Sequence, residues 1–567
     1  MELRIDGIPV VPEPGESLLS VIKRLGLDEE RLAVRPLAAR IAGEVFTLNY
    51  IPVRTKDAQE ELPNTRRAML ASGGEVHLIR YGDPLGRDTY VRTAQFVIFL
   101  AMHRLWPNAR AKINCSLGPG AYIEVQNAPD FSAEELKSEI RSLIAQDISL
   151  QRSRIPKAEA IAYFRSRGSY DKTRLLARKK SDWYDGYTYE NFRDYFHGEM
   201  APSTGYLQVW ELKEAEDGFL FLFPDDQEPD RVGEYQHLPH LFSVYSDGNR
   251  WCQLMECETV ADLNDLVESG RIRELIRVNE ALHEKRYSQI ADMICQRGAR
   301  VVMLAGPSSS GKTTSANRLA TQLRVQGKKP VLLSLDDYYL DRELILPGPD
   351  GKMDYEHINT IDTGLFRQHI SDLLSDMEVE IPTFDFKSGL RIWEGHRLRL
   401  HSDSVVIVEG LHALNPVLRP SGLQEHLIFR MYVSPLLPLN LDDHNRIHTS
   451  YLRLLRRTVR DYETRNATVQ HTLSMWDSVR RGEKRWIFPF QENADVIFNS
   501  STLYELAVLK KHIYPLLIAI GSDDPWYDEV RAIVKILDYV QEADVDDEIP
   551  PTSLVREFIG GNSFYRK

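Results

Sequence analysis

Gly306-Pro307-Ser308-Ser309-Ser310-Gly311-Lys312-Thr313 fits the pattern G-x-x-x-x-G-K-[ST], and its flanks decide what that match means. Ahead of it stands Val301-Val302-Met303-Leu304-Ala305, an apolar run of strand length. Behind it, Thr314 to Leu323 carries Ala316, Leu319, Ala320 and Leu323 on one helical face. Strand, loop and helix in that order predict a loop whose successive N–H groups point inward at phosphate oxygens. The helix N-terminus adds partial positive charge. The reading is a bound nucleoside triphosphate cradled by Gly306, Ser308, Ser309, Ser310, Gly311, Lys312, Thr313 and Thr314, with Lys312 on the terminal phosphates and Thr313 holding Mg2+.

Outward from the loop, apolar runs at 330–335, 405–408, 427–433 and 494–498 alternate with helical stretches. That alternation predicts an α/β domain, a parallel sheet with helices on both faces. Leu333-Ser334-Leu335-Asp336-Asp337-Tyr338-Tyr339 and Val405-Val406-Ile407-Val408-Glu409-Gly410 each deliver a carboxylate to a strand end, the edge where ligands sit in open α/β sheets. Asp336 is placed to accept a proton from a substrate hydroxyl, and Glu409 to orient the metal ion together with Thr313. The plainer alternative for either carboxylate is a helix or turn cap.

At 567 residues, with 43% hydrophobic and 27% charged residues and a formal net charge of -13, the chain has the balance of a multi-domain globular protein. That charge argues against a broadly basic nucleic-acid face, although Arg174 to Lys180 is a local basic stretch. Met1 opens into Leu3 and Ile5 without a leader pattern, and no apolar stretch is long enough to span a bilayer, so no membrane partner and a cytoplasmic location are expected. Cys252 and Cys257 lack a second ligand pair. Buried thiols, and no structural metal, are expected there.

Gly306 to Thr314, Leu333 to Tyr339, Tyr355-Glu356-His357, Ile381-Pro382-Thr383-Phe384-Asp385-Phe386 and Arg456-Arg457-Thr458-Val459-Arg460-Asp461 stand in the order found in the uridine kinase and phosphoribulokinase family, which residues 298–500 resemble. The resemblance implies an ATP- and Mg2+-dependent kinase with Asp336 as general base. Glu356 stands where an aspartate of the family binds the ribose hydroxyls, Phe384 and Phe386 line the base pocket, and Arg457, Arg460 and Arg465 belong to the lid. Guanidinium suits a lid because its planar donors fork onto phosphate oxygens and keep their charge. The pyrimidine-specific members read the base with a tyrosine, a histidine, a lid arginine and a glutamine. Phe384, Gly389, Ala467 and Met475 stand at those places here, which loosens the expected base selectivity.

The N-terminal part resembles a different family. Leu3, Ile5, Ile8 and Val10 alternate, Pro12-Glu13-Pro14-Gly15 turns, and Leu18, Val21, Ile22 and Leu25 form an amphipathic helix similar to the β-grasp TGS domain of threonyl-tRNA synthetases. Val91-Arg92-Thr93, Leu105-Trp106-Pro107 and Ala201-Pro202-Ser203-Thr204-Gly205-Tyr206 extend the likeness into that synthetase's editing domain. Arg92, Phe96, Phe196 and Met200 replace its histidines and cysteine, so hydrolysis is not expected, whereas contact with RNA or a small ligand is left open. The expected organisation is a TGS-like domain at 1–65, a degenerate editing-like domain at 66–229, a helical connector at 230–297, the kinase-like domain at 298–500 and a helical extension at 501–567. A small-molecule acceptor is the expected partner, and homo-oligomerisation is left open. The competing reading is a nucleotide-gated RNA-binding or translation-associated switch without small-molecule kinase activity. Against it, no guanine-reading Asn-Lys-x-Asp motif occurs, and Asp336, Glu356 and the arginine cluster fit a transferase.

Overall fold

A computed structural model describes residues 2–41, 44–52, 74–345, 354–521 and 523–564. The boundary expected at residue 65 lies outside the described residues. Leu3–Ile5, Ile8–Val10, Pro36–Ile41, Glu44–Thr47 and Glu75–Arg80 form a five-stranded sheet in which only the pairing of Leu3–Ile5 with Glu75–Arg80 is parallel. Helix Leu18–Arg24 lies on it, capped by the Ser17 side chain, and buries Leu18, Val21 and Ile22 against Leu3, Ile5, Ala39 and Leu78.

The next region pairs helix Pro84–Leu105 with an antiparallel sheet made of Arg110–Leu117, Gly120–Gln126, Gly218–Leu222 and Glu211–Ala215. Alternate side chains of one strand serve two cores, as a period of two requires. Phe219 and Phe221 face the helix, whereas Leu220 and Leu222 join the core beneath the parallel sheet of the molecule. Phe96, Phe196 and Met200 are buried apolar side chains, and Arg92 Nε donates to the Glu199 carbonyl at 3.0 Å. Two arginines of the basic stretch that begins at Arg174 are paired within the chain. Arg174 pairs with Asp262 and Asp265 at 2.5 and 2.7 Å, and Arg178 with Asp265 and Glu268 at 2.5 and 2.8 Å.

The parallel sheet contains β1 (Val301–Ala305), β2 (Lys329–Ser334), β3 (Ser404–Glu409), β4 (Ile428–Ser434) and β5 (Val496–Asn499) in the order β2-β3-β1-β4-β5, every pair parallel. Both faces are covered, which is why β1 and β3 read as unbroken apolar runs. On one face α1 (Ile272–Arg297) and α2 (Lys312–Val325) bring Tyr287, Ile290, Ile294, Leu319 and Leu323 against Val302, Leu304, Ile407 and Phe429. On the other, α3 (Thr363–Leu374) brings Phe366, Ile370 and Leu373 against Val301, Met303, Val406 and Val408. Gly298, left-handed at φ 70°, ends α1 and turns the chain into β1.

Above the C-terminal edge of the sheet stand α4 (Thr449–Arg465) and α5 (Val469–Trp486). Leu452, Leu455, Val459 and Leu473 of this pair share one core with Leu506, Leu509 and Ile513 of α6 (Glu505–Ile518), Val530 and Val534 of helix Tyr527–Leu537, and Phe558 of the last helix, Arg556–Ile559. The residues after 500 therefore lie back over the pair of helices that carries Arg457, Arg460 and Arg465, the arginines expected to belong to a lid. Among the described residues no helix is long and apolar enough to cross a membrane.

Candidate functional site

Register in the parallel sheet brings the chemistry together. Glu409 at the end of β3 is aligned with Leu304 on β1 and with Ser334 on β2. Strands about 4.8 Å apart therefore place Gly306 and Asp336, each two residues past those partners, on either side of Glu409 at one edge. Gly306 permits the turn out of β1, since a Cβ there would lie 2.1 Å from the Val433 carbonyl oxygen. Gly311, at φ 86°, is the N-cap of α2 and leaves the first-turn N–H groups of that helix facing the loop. Gly306→Ala forces backbone against backbone and is expected to cost about 1–3 kcal/mol or more. A fall in the thermal midpoint together with lost binding of a fluorescent ATP analogue checks this.

Lys312 is half-buried beneath the loop, its Nζ donating to the Pro307 carbonyl at 3.0 Å. Burial holds its pKa below the ordinary lysine value, while Glu409, Asp336 and Glu557 favour its charge. Asp336 is pushed above the usual carboxylate range by burial, with Lys312 pulling the other way. Glu409 is raised to about 7, first by burial and then by the nearby Asp336 charge, and accepts from Thr313 Oγ1 at 3.4 Å. Glu356 is likewise raised to about 7, by burial and then by Glu483. Lys312, Thr313, Asp336, Glu356 and Glu409 thus share one electrostatic site.

Residues one apart on α4 face different tasks. Arg457 NH1 donates to Ser308 Oγ at 3.0 Å, and its Nε donates to Asp461 Oδ2 at 3.3 Å. Arg465 NH1 reaches the other Asp461 oxygen at 3.1 Å, and Arg460 lies 3.9 Å from the same carboxylate. Asp461 thereby gathers all three expected lid arginines. Arg456, one residue before Arg457, is fully buried, pairs with the equally buried Glu505, and donates to the Ser309 and Ser500 carbonyls at 3.3 and 2.7 Å. It supports the phosphate loop from behind.

The remaining predicted residues divide. Ser309 and Ser310 are buried with hydroxyls that have no partner within the protein, Ser308 is spoken for by Arg457, and the Thr314 hydroxyl donates to Glu557 at 2.6 Å. Phe384 is buried and packs with Tyr339 and Phe386 at ring distances of 5.5 and 5.1 Å. Phe386 is 56% exposed, so it forms the outer rim of this aromatic group rather than an enclosed wall. At Gly389 a Cβ would meet Arg342 Cδ at 2.4 Å, and the Arg342 guanidinium donates to the Phe386 carbonyl at 2.6 Å. An arginine 47 residues away in sequence thus fills the space that a side chain at 389 would take.

Glu483, Arg453, His412 and Glu557, which sequence reasoning missed, belong to this site. Glu483 of α5 accepts from the Ser308 N–H at 2.8 Å and pairs with buried Arg453. His412 is buried near Glu356, both ring nitrogens lack a partner, and burial lowers its pKa to about 4, so it is a neutral imidazole. Its place in Glu409-Gly410-Leu411-His412, three residues past a strand-end carboxylate, was the available signal. Glu483 and Glu557 carried none, because each reaches the loop from a distant helix.

The set of donors near Thr313 and Glu409 suits Mg2+. A hydroxyl and a carboxylate face each other, both hard oxygen donors, and among the described residues no group of three or more His, Cys, Asp or Glu side chains could hold a metal by itself. Mg2+ keeps several waters and binds through one or two protein oxygens plus substrate phosphates.

Residues 301–507 match the sequence model of the Phosphoribulokinase / Uridine kinase family. A uridine kinase of Staphylococcus epidermidis is 27% identical over 209 residues, covering 37% of this chain and 91% of that protein. A uridine kinase of Macrococcus caseolyticus is 28% identical over 198 residues, covering 35% and 86%. Among solved structures, D-glycerate 3-kinase from Cryptococcus neoformans aligns over 36% of this chain and 89% of its own at 16% identity, with a TM-score of 0.27. The family match and the relatives support a P-loop kinase domain, and they lie within the segment that carries the loop, Asp336, Glu409 and the α4 arginines.

Proposed function

We propose that this protein transfers the γ-phosphoryl group of ATP to a hydroxyl of a nucleoside or a related small metabolite. The observation that carries the reading is the shared site of Lys312, Asp336 and Glu409, a cation for the donor and a strand-end carboxylate for the acceptor in one another's field. Asp336 takes the proton of the acceptor hydroxyl as that oxygen bonds to the γ-phosphorus. The bond from phosphorus to the bridging oxygen breaks, and ADP departs with the negative charge. Lys312 and the guanidiniums of Arg457, Arg460 and Arg465 stabilise the charge spread over the phosphoryl oxygens. Bound through Thr313 and Glu409, Mg2+ would neutralise further phosphate charge. Glu356, near half-protonated at neutral pH, and neutral His412 offer both donors and acceptors to vicinal hydroxyls. Phe384, Phe386 and Tyr339 supply a surface for a flat ring.

Purified protein supplied with Mg-ATP and a panel of ribonucleosides and sugars should release ADP only when an acceptor is present. No turnover with any of them overturns the proposal in favour of a nucleotide switch.

The raised pKa of Glu409 gives a second expectation. Its charged form, which the ion needs, dominates only above about 7. Apparent Mg2+ affinity should therefore weaken by about tenfold per pH unit below 7 and level off above it. Mg2+ titrations of turnover between pH 5.5 and 8.5 measure this, and Glu409→Gln should abolish that slope along with most of the affinity.

A further inference from the structure

The first turn of α2 already holds an anion, and the anion belongs to the chain itself. Glu557, on the last helix, accepts from Thr314 Oγ1 at 2.6 Å and from the Thr314 N–H at 3.4 Å. Its other oxygen lies 3.6 Å from Arg460 NH1. Asn562 Nδ2 also donates to Thr314 Oγ1, at 3.3 Å. Leu554 closes on the loop, its Cδ2 2.6 Å from where a Gly311 Cβ would stand, and the Phe558 ring lies under the Arg456 guanidinium at 4.8 Å. This is not ordinary local capping. The N-cap of α2 is Gly311, which has no side chain to cap with, and the carboxylate arrives from 243 residues along the chain.

Free N–H groups in the first turn of a helix that follows a glycine-rich loop are donors for phosphate oxygens. Thr314 presents such an N–H and a hydroxyl side by side, and both are turned to Glu557. A carboxylate and a phosphate oxygen repel, and neither can share the two donors with the other. Meanwhile the Ser309 and Ser310 hydroxyls, in the same loop, remain buried without protein partners. The segment bearing Glu557 is held from below by contacts that do not involve the loop. Ser553 Oγ donates to Glu280 at 2.7 Å, and Arg556 donates to the Ile549 carbonyl at 3.0 Å.

We propose that Glu557 is a tethered competitor of the nucleotide: its carboxylate takes the place of a phosphate oxygen at Thr314, and a nucleotide binds fully only when the 556–559 helix withdraws. This rests on the reading of the loop as a nucleotide site. The device makes the affinity of the loop depend on a segment that also touches the lid through Arg460, so anything that draws the C-terminal segment away primes loop and lid together.

Titrating full-length protein with a fluorescent ADP analogue tests the proposal, using wild type, Glu557→Gln, Glu557→Ala and Lys312→Ala. Both Glu557 variants should bind at least tenfold more tightly than wild type, and saturating ADP should make the wild-type C-terminal segment more sensitive to limited proteolysis. Glu557→Gln keeps the shape of the side chain, so it carries the test if the alanine variant is unstable. Unchanged or weaker binding in the Glu557 variants, with binding still lost in Lys312→Ala, overturns the competition while leaving the nucleotide site standing. Binding that ignores Lys312 as well overturns the nucleotide reading, and this proposal with it.

Discussion

Asparagine at position 336 should slow phosphoryl transfer by about 10²–10⁴-fold, the usual contribution of a positioned general base, while leaving ATP bound. The side chains are nearly the same size, so the loop and the aromatic group around Tyr339 keep their packing, and only the ability to accept a proton is lost. Asp336 lies in the field of Lys312 and favours its charge. Removing the carboxylate leaves the ammonium with less compensation, and nucleotide binding should hold or tighten slightly. Lys312→Ala behaves differently, weakening nucleotide affinity and turnover together. Single-turnover kinetics and a fluorescent-nucleotide titration on the two variants separate the roles. Equal loss of ATP by both would show that Asp336 belongs to the donor side, and the proposed assignment would fall.

Arg456→Met should unfold this end of the molecule long before it alters any contact with a substrate. Arg456 and Glu505 are both wholly removed from solvent. Removing one partner of such a pair strands a buried charge, which costs about 3–5 kcal/mol. The Ser309 and Ser500 carbonyls lose a donor at the same time, so the phosphate loop loosens from behind. The urea midpoint reported by Trp476 and Trp486 on the adjoining helix should drop accordingly. Replacing both members, Arg456→Met with Glu505→Leu, should recover much of the loss, because the desolvated charge is gone as well. A single variant as stable as wild type would mean the pair contributes nothing, contrary to its burial. Arg457, the next residue, should give the opposite profile of impaired turnover and little change in midpoint.

That contrast shows where a linear reading runs out. Arg456-Arg457 is one motif on paper, yet adjacent residues on a helix point about 100° apart, and only the position of α4 over the loop decides which guanidinium is structural. The basic stretch at 174–180 has the same lesson. Along the chain it is only a local basic run, whereas in the fold Arg174 and Arg178 are matched by Asp262, Asp265 and Glu268 on a neighbouring helix. Phe386, expected to line a pocket with Phe384, stands largely in solvent while Phe384 is buried, since Phe384 lies within the short strand Thr383–Asp385 and Phe386 falls one residue past its end.

The phosphate loop, the strands that feed it and the carboxylates at their ends could all be read from the chain in order, because each depends on neighbours a few residues away: apolar period, glycine where the backbone must turn or approach closely, a charged residue at a strand end. Electrostatics and burial have no such locality. Glu483 on the Ser308 amide, Arg342 in the space beside Gly389, the pKa of Glu409 near neutrality and Glu557 on Thr314 all arise from groups tens to hundreds of residues apart, whose charges add only once folding has removed the water between them.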